Sequence, residues 1–333
     1  DMQKLKTVDI AKAITIILVV IGHYAPDYAP KWYTVIHDAI YTFHMPLFMF
    51  LSGFLYWHSG SYRKPLKPFI VNKFYRLMVP YYIISIIVIT LKLLGQYVLT
   101  VNKPVTVSAF LEMLYLPVAG YYLWFCLALF AIFVVVHLFR KERILYILGI
   151  LSLIAYIAQY KISFPQFFAL DQVVRMLPYF LSGVFVSMHK RHFEEITTAP
   201  YATSLFGICV VTLYAFSGLI DNILGLIVAL SGIFSVCKIA QFICRTNSRT
   251  KDLLLKISVA SYAIYLTHTI FESISATVIL KVVGEQSLHS SLYFAPCALV
   301  IIASGVLIPY FLYYKCLSKY GITRVCIGER FNK

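Results

Sequence analysis

Ala295-Pro296-Cys297-Ala298-Leu299-Val300-Ile301-Ile302-Ala303-Ser304-Gly305-Val306-Leu307-Ile308-Pro309-Tyr310-Phe311-Leu312-Tyr313-Tyr314 runs for 20 residues without a formal charge. A helix built from it is about 30 Å long, the depth of a bilayer's hydrocarbon layer, and has almost no polar face to offer water. Ile10 to Val20, Tyr81 to Leu94 and Tyr121 to Leu138 are apolar on nearly every side in the same way. Lipid is the natural surround for such helices, so the length of the chain is read in membrane spans.

Composition agrees. Of 333 residues, 60% are hydrophobic and only 13% charged, outside the range of soluble domains. Apolar runs set against turn and charge signals predict an all-α transmembrane bundle of about ten helices. They lie near Val8 to Tyr24, Ala39 to Trp57, Leu77 to Leu94, Tyr121 to Phe139, Ile144 to Tyr160, Val173 to Met188, Tyr201 to Ser217, Ile223 to Phe242, Ile257 to Leu280 and Leu292 to Leu317. No cleavable signal peptide is evident ahead of the first span, which is expected to stay in place.

The net charge of +15 would suggest nucleic acid in a soluble protein. Here the basic residues cluster between apolar runs and report topology instead. With a cytoplasmic N-terminus, 22 of the 29 Lys and Arg fall on the inner side, so the positive-inside rule predicts both termini in the cytoplasm and a multi-pass protein of the cell (inner) membrane. The seven cysteines show no metal-ligand spacing, and neither disulfides nor a metal site is expected. With no internal repeat and no long linker, residues 1–333 are expected to form one membrane domain. The connection from Gly95 to Gly120 is expected to form a partly helical flap at the outer mouth.

Ionisable groups within spans are costly unless they face a cavity or a partner. In the first span Lys12 and His23 are eleven positions apart and return to within about 20° of each other, with Asp9 about 60° from Lys12, so one stripe carries all three. Lysine and histidine are about 16 Å apart along the axis, too far to act on one atom. The second span holds His44 two residues before Pro46, where a proline can open the backbone toward a cavity. The ninth ends Ser261-Tyr262-Ala263-Ile264-Tyr265-Leu266-Thr267-His268, with Glu272 one turn on. Each has a plain structural alternative: Lys12 can snorkel with Asp9 beside it, and His44, His268 and Glu272 can serve interhelical hydrogen bonds.

These residues resemble a family. Asp9-Ile10-Ala11-Lys12 followed by ten residues and His23 is similar to the R/K-x10-H signature of the membrane acyltransferase family 3. So are Met45-Pro46-Leu47-Phe48-Met49-Phe50-Leu51-Ser52-Gly53-Phe54-Leu55, Leu123-Trp124-Phe125, Leu177-Pro178-Tyr179-Phe180-Leu181-Ser182-Gly183 and the segment ending at His268. The motifs follow in the family's order over nearly the whole chain, and the second span resembles fucose-4-O-acetylase and intercellular adhesion protein C relatives. Lysine stands at position 12 where many members carry arginine, and Lys73-x-x-Arg76 where R-x-x-R is frequent, which loses arginine's bidentate geometry.

The resemblance implies transfer of an acyl group, usually acetyl, from cytoplasmic acyl-coenzyme A to a hydroxyl of an extracytoplasmic acceptor, commonly a cell-surface glycan. Acetyl-coenzyme A is then the donor, and no metal is implied. His23, with Asp9 and Lys12 below it on the donor path, is the candidate catalytic group, either as general base or as acylated nucleophile. Lys73, Arg76, Arg63, Lys64, Lys67 and Lys12 are candidates for the anionic donor, against the alternative of plain positive-inside bias. His44, His268 and Glu272 are candidates for orienting His23 or holding acceptor. Trp32, Trp124, Tyr121 and Tyr122 are candidates for sugar stacking, against the alternative of an aromatic belt. The bilayer and a hydroxyl-bearing acceptor are the expected partners, nucleic acid is not, and a homo-oligomer is compatible with the sequence. The competing class is a transporter using the same intramembrane His, Lys and Glu.

Overall fold

The computed structural model describes residues 2–96, 104–159, 161–189, 207–212, 214 and 222–329. Among them it is all-α, with thirteen α-helices. These are α1 (Met2–His23), α2 (Lys31–His58), α3 (Leu66–Lys73), α4 (Val79–Gly95), α5 (Ala109–Glu112), α6 (Trp124–Leu138), α7 (Glu142–Ala158) and α8 (Leu170–Met188). They continue as α9 (Asn222–Arg245), α10 (Arg249–Val283), α11 (Glu285–Leu288), α12 (Ser291–Leu312) and α13 (Gly321–Cys326). Wider π-helical turns follow α3 over Phe74–Met78 and α12 over Tyr313–Leu317.

Seven described helical stretches are long and apolar enough to cross a membrane: Lys31–His58, Leu66–Gly95, Tyr121–Leu138, Phe167–Met188, Leu224–Arg245, Arg249–Val283 and Ser291–Leu317. The expectation of about ten spans adds three segments. Helix α1 has 22 residues but carries Lys6, Asp9 and Lys12. Helix α7 has 17, and the segment 201–217 lies mostly outside the described residues. Beyond their first residues, the outward side chains of α7 and α12 are mostly apolar, among them Ile147, Ile150, Ile154, Leu292, Leu299 and Val300, as a lipid-facing surface requires.

Helix ends follow local chemistry. Helix α10 begins where the Ser248 hydroxyl accepts from the Lys251 backbone N–H at 3.3 Å, with Asp252 in the first turn, and stops at Gly284, whose φ of +80° suits a residue without Cβ. Its 35 residues extend about 52 Å, well past the hydrocarbon layer, and the basic Arg249–Lys256 end makes up about half of the excess.

By internal contacts the chain divides into two compact units, Asp1–Ser52 with Phe185–Tyr314, and Gly53–Val184 with Lys315–Lys333. In the first, α10 packs along α12 and α1, and α1 also meets α9. Gly232 of α9 sits so close to Phe43 that no side chain fits there. In the second, the π turn over Phe74–Met78 packs on α6, and α13 lies against α4. Gly53 of α2 meets the backbone carbonyl of Phe180 in α8. The described part of the Gly95–Gly120 connection includes α5 and is pinned to α4, where the Tyr81 hydroxyl donates to the carbonyls of Met113 at 2.8 Å and Leu116 at 3.0 Å.

Candidate functional site

The imidazole of His23 closes the last turn of α1, and the fold surrounds it with polar rings from α2 and α10. Its ring centroid lies 4.9 Å from that of His268 and 6.4 Å from that of Tyr41. Tyr41 is in turn 4.8 Å from His44 and 4.5 Å from His37. Close approach of Tyr41 is permitted by Gly22, where a Cβ would stand 3.3 Å from the Tyr41 ring. The α1 end is held to α2 by Tyr33, whose hydroxyl donates to the carbonyls of Tyr24 at 2.8 Å and Ile21 at 3.2 Å, two groups that a helix terminus leaves without intrahelical partners.

Two tautomers follow from the acceptors. His268 Nδ1 lies 2.8 Å from the Tyr265 carbonyl and 3.1 Å from that of Ile264, and His44 Nδ1 lies 2.8 Å from the Ile40 carbonyl. A carbonyl only accepts, so Nδ1 carries the proton in both rings, and in each neutral imidazole Nε2 keeps a lone pair. Both rings are almost wholly buried. The His268 ring, with a lone pair on Nε2, is therefore the neighbour of the half-buried His23, centroid to centroid 4.9 Å.

One turn beyond His268, Glu272 is 5% exposed, and its Oε1 is buried with no hydrogen-bond partner among the described residues. Gly305 of α12 makes room for it: a Cβ there would stand 2.8 Å from Glu272 Cγ and 2.9 Å from Val20 Cγ1. A buried orphan carboxyl oxygen costs stability unless something else uses it. At the other end of α1, Asp9 Oδ1 accepts from the Ser258 hydroxyl of α10 at 3.1 Å, and Lys12 is half-buried. Asp9, Lys12, His23, His44, His268 and Glu272 thus all belong to the first unit.

Trp32 is in that unit too. Its indole N–H donates to the Ser291 hydroxyl at 3.1 Å and its ring stands edge-on to Tyr33 and Phe294, leaving it 44% exposed. Trp124, Tyr121 and Tyr122 lie in the second unit. Trp124 and Tyr122 are buried in its core, whereas Tyr121 is exposed and accepts a hydrogen bond from Gln172.

Lys73 and Arg76 also lie in the second unit, Lys73 at the end of α3 and Arg76 within the π turn, and their surroundings differ. The Lys73 ammonium stands 3.5 Å from the Phe133 ring centroid and 5.5 Å from that of Phe69, a cation held on aromatic faces, while Arg76 is exposed. Behind them His137 stacks on Phe69 at 3.8 Å. Its Nε2 donates to the Lys64 carbonyl at 3.1 Å, so its Nδ1 accepts from the Tyr56 hydroxyl at 2.9 Å. Arg63, Lys64 and Lys67 are exposed. Among the described residues no group of three or more His, Cys, Asp or Glu could hold a metal ion.

Sequence reasoning missed His37 and Tyr41. The signal was present: Tyr33, His37, Tyr41 and His44 recur at i, i+4, i+8 and i+11, one face of α2.

Comparison with known proteins adds one finding. A family described as an acyltransferase domain, acyltransferase 3, matches residues 5–314. No curated protein and no solved structure matches the chain. The matched range runs from the start of α1 to the end of the π turn's first residues after α12, so it takes in every side chain gathered around His23. The chain belongs to the acyltransferase 3 family.

Proposed function

We propose that the protein is an acyl-coenzyme A-dependent O-acyltransferase that moves an acetyl group from the cytoplasmic side of the cell membrane to a hydroxyl of an extracytoplasmic acceptor, a cell-surface glycan. The family supports acyl transfer. The observation that supports the rest is the imidazole of His23 with its ring centroid 4.9 Å from that of His268, whose Nδ1 is held by backbone carbonyls. In this reading His23 takes the acceptor's O–H proton as that oxygen attacks the thioester carbonyl. The tetrahedral intermediate then collapses, the C–S bond breaks, and the leaving thiolate recovers the proton from the imidazolium. His268 and His44 are positioning residues for that ring, and Glu272 supports His268 from the next turn. Lys12, Lys73, Arg76, Arg63, Lys64 and Lys67 are assigned to the anionic donor.

The transporter alternative gains no particular observation. Purified protein in detergent tests the donor assignment: wild type should retain acetyl-coenzyme A and release coenzyme A when acceptor glycan is added, and Arg76→Ala should weaken retention several-fold. Retention unaffected by any of the five cations from Arg63 to Arg76 would remove the donor assignment.

A further inference from the structure

The turn joining α2 to α3, which carries Arg63 and Lys64 of the donor assignment, also orders two aromatic rings that the reading at His23 does not use. The rings of Trp57 and Tyr62 lie 3.8 Å apart and within 4° of parallel. The chain reverses between them through Gly60, at φ +67°, with the Gly60 N–H donating to the Trp57 carbonyl at 2.9 Å and the Arg63 N–H to the Gly60 carbonyl at 3.0 Å. Arg63 Nε donates to the Tyr62 hydroxyl at 3.0 Å, with its guanidinium carbon 5.3 Å from the Tyr62 centroid. Both rings are half-buried, and Arg63, Lys64 and Lys67 are exposed beside them. The sequence between Asp38 and Glu112 contains no acidic residue at all, so these cations have no carboxylate near them in the chain.

We infer that the Trp57–Tyr62 stack is a platform for the adenine ring of a nucleotide-bearing donor, with Arg63, Lys64 and Lys67 taking its phosphates. This rests on the acyl-coenzyme A reading and adds a subsite to it. A purine extends an existing aromatic stack without any side chain having to be ordered, since the hydrogen-bonded turn already fixes both rings. The adjoining guanidinium and ammonium groups supply charge-assisted bonds for a diphosphate, a pairing of planar base and anion that a nucleotide satisfies and an uncharged acyl thioester does not. An aromatic anchor at the bilayer surface needs only a single amphipathic ring at the right depth.

The test compares two donors, acetyl-coenzyme A and acetyl-pantetheine, which share the thioester and differ by the nucleotide. The ratio of kcat/KM for the first over the second should fall about ten-fold in Trp57→Ala and be kept in Trp57→Phe. Adenosine 3′,5′-bisphosphate should compete with acetyl-coenzyme A on wild type and about ten-fold more weakly on Trp57→Ala. An unchanged ratio with both donors losing equally would assign Trp57 to the bilayer surface or to folding and overturn the platform. So would a wild type that uses the two donors equally well. If wild type uses neither donor, the acyl-coenzyme A reading itself falls.

Discussion

Gly305 offers the sharpest structural prediction. Adding a single methyl group in Gly305→Ala places Cβ 2.8 Å from Glu272 Cγ and 2.9 Å from Val20 Cγ1, where ordinary contacts begin near 3.4 Å. Two neighbours must each give by about 0.5 Å, or α12 must move off α10 and α1; such overpacking costs about 1–3 kcal/mol. The functional effect should exceed the stability effect, because Glu272 follows His268 by one turn, His268 positions His23 in the proposed reaction, and a misplacement of about 1 Å passed on to a reacting group costs about a hundred-fold in rate. Unfolding in a denaturing-detergent titration measures the first effect, and turnover with acetyl-coenzyme A the second. Trimming the carboxyl as well, in Glu272→Ala with Gly305→Ala, should recover part of the stability, with a coupling of about 0.5–3 kcal/mol, while Val20 keeps the remainder. Additive losses in the double variant, or wild-type turnover in Gly305→Ala, would refute the link from α12 through Glu272 to the histidines.

Other outcomes follow from single groups. Glu272→Met removes a buried oxygen that has no partner among the described residues and should raise resistance to unfolding by about 1–3 kcal/mol while slowing turnover; a loss of stability would show that the carboxyl is a structural asset. Gly328 has φ +69° and abuts the backbone carbonyl of Arg76, so Gly328→Ala should cost about 1–3 kcal/mol and loosen the end of the chain from the Lys73–Arg76 turn. Limited proteolysis reads this as faster cleavage after Tyr320, and unchanged protection would count against it. Tyr56→Phe leaves His137 Nδ1 without its donor and should lower stability by about 1–3 kcal/mol, seen as a lower unfolding midpoint; an unchanged midpoint would mean that water or another group replaces the hydroxyl.

The membrane class was legible because it depends on composition and run length: nine of the ten expected segments coincide with described helices, seven of them long and apolar enough to cross a membrane. The seam of α1 was legible because Asp9, Lys12 and His23 repeat at helical spacing. That His23 meets His268 was not, since nothing in one helix's periodicity says which face of another it will touch. The charge of the Lys73-x-x-Arg76 pair was legible, but the π turn over Phe74–Met78 and the seating of Lys73 on the Phe133 and Phe69 rings were not, because i→i+5 hydrogen bonding has no signature in residue types. Trp124 and Tyr122 looked like candidates for stacking on sugar. Both are buried in their unit, a placement that residue type does not reveal, since an aromatic side chain packs in a core as readily as on a ligand.

Removal of the imidazole tests the proposal that His23 is the base of the transfer step. In His23→Ala, single-turnover acyl transfer should fall by about 10²–10⁴, the affinity for acetyl-coenzyme A should stay at the wild-type value, and added imidazole should restore part of the rate. Wild-type transfer in that variant, or a loss matched by an equal loss of donor binding and indifferent to imidazole, would contradict it.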